Sequence, residues 1–281
     1  MRLAAALLCS ILAFGTAEAQ DAGTLRSRHA ALTDQLANNP FGRPLHVEST
    51  ASGNAQKGEI YAVIDKPFMA VAPALARPAQ WCEVLLLQVN VKRGAADGDE
   101  RMTAFITRRA RDPLESAHRV DFHYKVVKAS AEYGRVALNA PSGPVGTRDY
   151  EIVLEAAPLD SRRTFVHMSY AYTLGTMARF AMDAYLSGAG RDKVGFSVVE
   201  RLSDGRPVYV DGVRGVVERT TMRYFLAVEA YLDSLRAPAE QRLDTRLRGW
   251  YGAISRYPQL REVVGPDEYV EMKRREATAA G

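Results

Sequence analysis

Between Lys57 and Val91 the apolar positions change period along the chain. Glu59-Ile60-Tyr61-Ala62-Val63-Ile64-Asp65 alternates as a half-buried strand does, and Phe68 to Ala76 reads as a short apolar helical piece. A second short piece follows around Pro78-Ala79-Gln80-Trp81-Cys82, and Leu85 to Val91 predicts another strand. Upstream, Leu25, His29, Leu32 and Leu36 recur at helical spacing, so a helix is expected from Gln20 to about Asn39. It stops at Asn38-Asn39-Pro40, because the residue before proline avoids helical backbone angles. An edge strand is expected over Pro44 to Ser49.

Downstream, a polar loop is expected from Lys92 to Glu100, then strands at Met102–Thr107, Val120–Val127, Arg135–Leu138, Thr147–Ala156 and Arg163–Tyr172. Short polar turns separate them, which implies an antiparallel meander, since parallel neighbours need long crossover connections. Thr173 to Ser187 predicts a helix that is apolar around most of its circumference. It is expected to pack against the sheet, with a lid or a lipid-facing surface as the alternatives. Phe196–Arg201 and Pro207–Val210 form a hairpin across Asp204-Gly205. From Arg214 to Leu235 a single apolar stripe predicts a long helix, and two more helices start near Pro238 and Pro266.

Strand, two small helices joined by a tight turn, then strand, with Trp81 closing the second helix: this opening resembles the START and Bet v 1-like helix-grip superfamily. The resemblance covers Lys57 to Leu235. It implies an α+β fold in which a curved antiparallel sheet grips a long C-terminal helix around a hydrophobic cavity. Four parts are expected: a signal segment (1–19), an N-terminal helix and edge strand (20–56), the helix-grip domain (57–235) and a helical appendage (236–281).

The first residues add a location. Arg2, the apolar run Ala4–Phe14 and the small-x-small motif Ala17-Glu18-Ala19 form a cleavable export signal, too short to span a bilayer. A periplasmic or secreted protein beginning at Gln20 is expected. The net charge of +4 among 281 residues is spread without a Lys/Arg block, which argues against nucleic acid. It leaves room for peripheral contact with an anionic membrane surface. The Arg108-Arg109-Ala110-Arg111 run reads as a solvated loop. Cys82 is the one cysteine downstream of the signal, expected to be buried and unpaired.

Chemistry is sparse. The chain has no His-Glu-x-x-His, no cysteine pair, no phosphate-cradling glycine loop and no Gly-x-Ser-x-Gly elbow, so no metal, cofactor or catalytic residue is assigned. His123 and His167 lie on apolar strands, where hydrogen-bonded structural histidines are the commoner outcome. The candidate ligand wall is Tyr61, Val63, Trp81, Phe122, Tyr124 and Phe165, closed by Phe225 and Val228 of the long helix, with His123 and His167 as polar anchors. The resemblance implies binding of an apolar small molecule or lipid. The alternatives are a cyclase- or hydrolase-like enzyme on the same scaffold and a non-catalytic envelope interaction protein.

Overall fold

Polar turns between apolar runs fold the chain into an eight-stranded antiparallel sheet in the computed structural model, which describes residues 21–188 and 190–278. The strands are β1 (Leu45–Ser52), β2 (Ala55–Ile64), β3 (Val91–Asp97), β4 (Arg101–Ile106), β5 (His118–Ala129), β6 (Gly134–Ser142), β7 (Thr147–Pro158) and β8 (Thr164–Leu174). Their spatial order is β1-β2-β8-β7-β6-β5-β4-β3, so β8 returns to lie beside β2. The curved sheet grips a long helix, and the fold is α+β of the helix-grip type.

Helices α1 (Ala22–Ala31) and α2 (Thr33–Ala37) precede the sheet, and α3 (Phe68–Val71) and α4 (Pro78–Leu85) join β2 to β3. After β8 come α5 (Thr176–Ser187), a small hairpin of β9 (Val198–Arg201) and β10 (Pro207–Tyr209), and then α6 (Gly212–Ser234), α7 (Arg242–Ser255) and α8 (Pro266–Thr278). Helix α6 lies on β1, β2 and β8. The approach is close because β2 carries Gly58 at the crossing, where a Cβ would fall 2.3 Å from Thr221 Oγ1. Glu218 of α6 is fully buried and accepts from Phe196 N (2.6 Å), Ser197 N (2.9 Å), Ser197 Oγ (2.6 Å) and Ser49 Oγ (2.7 Å), pinning the hairpin segment to helix and sheet.

Of the C-terminal helices, α7 packs on α6 and α8 packs on α7 and β3. Trp250 Nε1 donates to Arg223 O at 3.1 Å, Tyr269 Oη to Leu87 O at 2.7 Å, and Lys273 Nζ to Val91 O at 2.6 Å. Lys273 and Lys92 share the Glu276 carboxylate at 2.8 Å each. Desolvation pulls the ammonium of Lys273 down to about 8. Arg111 of the basic run meets Glu268 through two bonds of 2.7 and 3.0 Å.

Three expectations are corrected. Leu85 ends α4 and Leu86–Asn90 is turn, so the strand runs from Val91 to Asp97 through the stretch read as a loop. The apolar run Val84–Leu87 belongs to the helix end, where Leu85 and Leu87 are buried, and a short apolar run has no period to tell strand from helix. Helix α5 does not bury its apolar face: Met177, Phe180 and Tyr185 are 79, 66 and 40 % exposed, and Ala178 is its buried residue. Cys82 is unpaired but half-buried, and burial followed by the nearby Glu83 pushes its thiol up to about 11. That leaves it a poor nucleophile at neutral pH. The signal segment lies outside the described residues. No described helix is long and apolar enough to cross a membrane.

Candidate functional site

Proline punctuation builds a cavity at one end of the sheet. Pro67, Pro73 and Pro78 cut the segment after β2 into α3, a 3-10 turn (Pro73–Leu75) and α4. None of these pieces is long enough to cover the strand ends completely. Between α3 with its following turn and the ends of β5, β6 and β7 lies a cavity of about 280 Å³. Its apolar wall includes Phe68, Val71, Leu75, Val136, Leu154 and Ala156, and Lys128, Ser130 and Arg135 supply the polar groups. The wall is braced from behind at one atom. Leu75 O accepts from Trp81 Nε1 at 3.0 Å and from Tyr124 Oη at 2.9 Å, both donors buried.

The ten residues expected to form one ligand wall are divided by the sheet, and none of them lines this cavity. Trp81, Phe122, Tyr124, Phe225 and Val228 belong to the main core between sheet and α6. Tyr61 and Phe165 lie in a second core on the opposite face, beneath Leu25, Leu32 and Leu36 of the N-terminal segment, with Val63 packed against it. His167 shares that outer face, stacked on Tyr61 at 4.4 Å between ring centroids. His123 is exposed on the sheet, its Nδ1 3.1 Å from Glu100 O.

The shared inward orientation of Tyr61, Val63, Phe165, His123 and His167 is therefore corrected. Alternation fixes which residues of a strand share a face but not which face is concave. With α1 over β7 and β8 and α2 over β1, part of the outer face is buried as well as the inner one, and apolar residues appear on both. The cavity residues left a weaker signal. Phe68-Met69-Ala70-Val71-Ala72 lacks a polar side, although Phe68 and Val71 are its buried residues and Met69 is exposed at the cavity.

On the outer face the polar residues condense into a buried network. His167 Nδ1 lies 2.6 Å from Glu155 Oε2, and Nε2 lies 3.1 Å from Glu59 Oε1. Tyr133 Oη donates to Glu155, Arg135 Nη1 lies 3.8 Å from it, and Lys57 Nζ reaches Glu59 at 2.8 Å. Burial opposes the charged imidazole, but the bonds to Glu155 and Glu59 outweigh it and raise the pKa above 6.5. Burial likewise opposes ionisation of Glu59, yet His167 and Lys57 hold that carboxyl down at about 2; Glu155 is lowered for the same reason. Both ring nitrogens are engaged by carboxylates and His167 is 4 % exposed. The histidine has no open nitrogen for proton transfer to a substrate, and the network is a structural ion cluster. Among the described residues no group of three or more His, Cys, Asp or Glu side chains is arranged to hold a metal.

No family model and no curated protein matches the chain. Solved structures with a similar arrangement include a conserved protein from Geobacillus kaustophilus, 15% identical over 48% of this chain and 85% of its own, with a TM-score of 0.33. A point mutant of Thalictrum norcoclaurine synthase, in complex with a transition-state analogue, is 11% identical over 50% of this chain and 90% of its own (TM-score 0.36). A protein from Arthrobacter aurescens is 11% identical over 68% and 92% (TM-score 0.35). Likenesses this slight carry no argument about ligand or activity.

Proposed function

We propose that this protein binds an apolar small molecule in the cavity between α3 and the ends of β5, β6 and β7, as an exported binding protein. The observation that carries the reading is the 280 Å³ space with its almost wholly apolar wall. That volume falls just below the usual range of about 300–1,000 Å³ for ligand pockets. The occupant is a ring system or one short chain, and a two-chain lipid is too large. Burying about ten methylenes yields roughly 8 kcal/mol gross. Association costs at least about 4 kcal/mol, which leaves an affinity near millimolar. A charge-assisted bond from Lys128 to an acidic end adds about 1.5–3 kcal/mol and brings binding toward micromolar.

The test is displacement of a fluorescent short-chain fatty acid, with native mass spectrometry of protein taken from cells. Ala72→Trp, which fills the cavity from α3's C-cap, is expected to weaken the probe at least tenfold and leave the unfolding midpoint within a few degrees of wild type. A variant that folds and binds the probe as wild type does would reject the cavity as the site. Export rests on a separate measurement. Intact mass of protein from the native host is expected to begin at Gln20, and a mature chain retaining Met1 would overturn it.

A further inference from the structure

At the other end of the grip, a buried amide lies unpaired. Gln56 of β2 is 1 % exposed, and both its Oε1 and its Nε2 are buried without a hydrogen-bond partner among the described residues. Buried side-chain polar atoms are nearly always satisfied, so two orphans on one amide point to a missing partner. In the ladder Gln56 stands opposite Tyr172 of β8, so the two side chains share the face that turns toward α6.

Tyr172 belongs to a cluster of four tyrosines. Its ring lies 5.6 Å from Tyr170 and 5.8 Å from Tyr150, and Tyr170 lies 5.2 Å from Tyr224 of α6. Tyr150 Oη is 2.6 Å from Thr147 Oγ1, and its ring lies 6.0 Å from that of Tyr170. The hydroxyls of Tyr172 and Tyr224 have no hydrogen-bond partner among the described residues. These tyrosines are deep enough that burial drives their hydroxyls well above 10, yet Tyr170, Tyr172 and Tyr224 retain 7, 7 and 9 % of their surface. Leu174 at the end of β8 and Ala178 of α5 belong to the same core. None of Gln56, Thr147 and the four tyrosines carries a charge at neutral pH.

We propose that Gln56 and the tyrosine cluster form a second binding site, for a small neutral molecule with an adjacent donor and acceptor such as an amide, lactam or hydroxy-carbonyl. The edge of that molecule pairs with both Gln56 amide atoms, and its planar body meets the tyrosine faces. An ion is disfavoured because none of these six side chains offers an opposite charge. The site shares no residue with the apolar cavity, so it stands or falls independently of that reading.

Benzamide is the probe, followed by saturation-transfer NMR and calorimetry on the full mature chain, with benzoate and ethylbenzene as charged and apolar controls. Benzamide is expected to bind saturably, at least tenfold tighter than either control. Gln56→Leu is expected to weaken it at least tenfold and Tyr172→Phe severalfold, while Ala72→Trp leaves it unchanged. Tyr172→Phe removes a single oxygen and supplies the test should Gln56→Leu fail to fold. Equal affinity in wild type and the folded variants would overturn the site. So would an absence of binding, which would mean that water alone satisfies Gln56.

Discussion

Glu155→Ala is expected to lower unfolding stability by about 3–5 kcal/mol, the usual cost of removing one partner from a buried ion pair. Glu155 is 1 % exposed, and its loss leaves the raised-pKa His167 with Glu59 alone and deprives the Tyr133 hydroxyl of its acceptor. The effect has a sign in pH. His167 is raised above 6.5, so its contribution is fully present below 6.5 and disappears as pH rises through the higher folded value. Glu59 is depressed from 4.5 to about 2, so its contribution is present above 4.5 and disappears as pH falls toward 2. The network is therefore worth most between 4.5 and 6.5. Urea unfolding of wild type and variant at about pH 5.5 and about pH 9 checks this. A difference under about 1 kcal/mol at the lower pH, or one that grows on going alkaline, would show that the cluster is not a charged pair.

This network also marks where sequence reading stops. The meander, the hairpin at Asp204-Gly205 and the long gripping helix were legible, because each depends on local turn chemistry or on a sustained period. Parity within strands was legible too: His167 sits with Phe165 and Ser169, opposite Tyr170 and Tyr172. The absolute direction was not. A strand with one wet face announces its core side by its polar residues, but β8 has α6 over one face and α1 over the other, and Tyr61 of β2 lies in the outer core beneath the N-terminal segment. The carboxylates that would betray the outer face, Glu59 and Glu155, come from two strands that flank His167 only once the register is set. The same ambiguity explains α5, whose apolar residues look like a core stripe but point outward. Gln56 left a faint trace, a polar residue in phase with Gly58, Ile60 and Ala62 on the core side.

Trp81→Ala is expected to cost about 3–5 kcal/mol as a large-to-small core change, and to abolish probe binding in the apolar cavity. The residue was read from sequence as part of a ligand wall, but its indole lies behind that wall and holds it through Leu75 O. Tyr124 holds the same carbonyl from β5, so the two donors are redundant. Trp81→Phe alone keeps most of the packing and leaves the carbonyl one partner, at a cost of about 0.5–1.5 kcal/mol for the lost bond; Tyr124→Phe costs a similar amount. Together the two Phe substitutions orphan a buried acceptor, which carries its own penalty of about 1–3 kcal/mol. The double variant is therefore expected to lose more stability than the singles combined, with a matching excess loss of probe affinity. Chemical unfolding and probe titration of all four proteins measure both. Strict additivity would mean that Leu75 O is satisfied in another way and that Trp81 acts by volume alone.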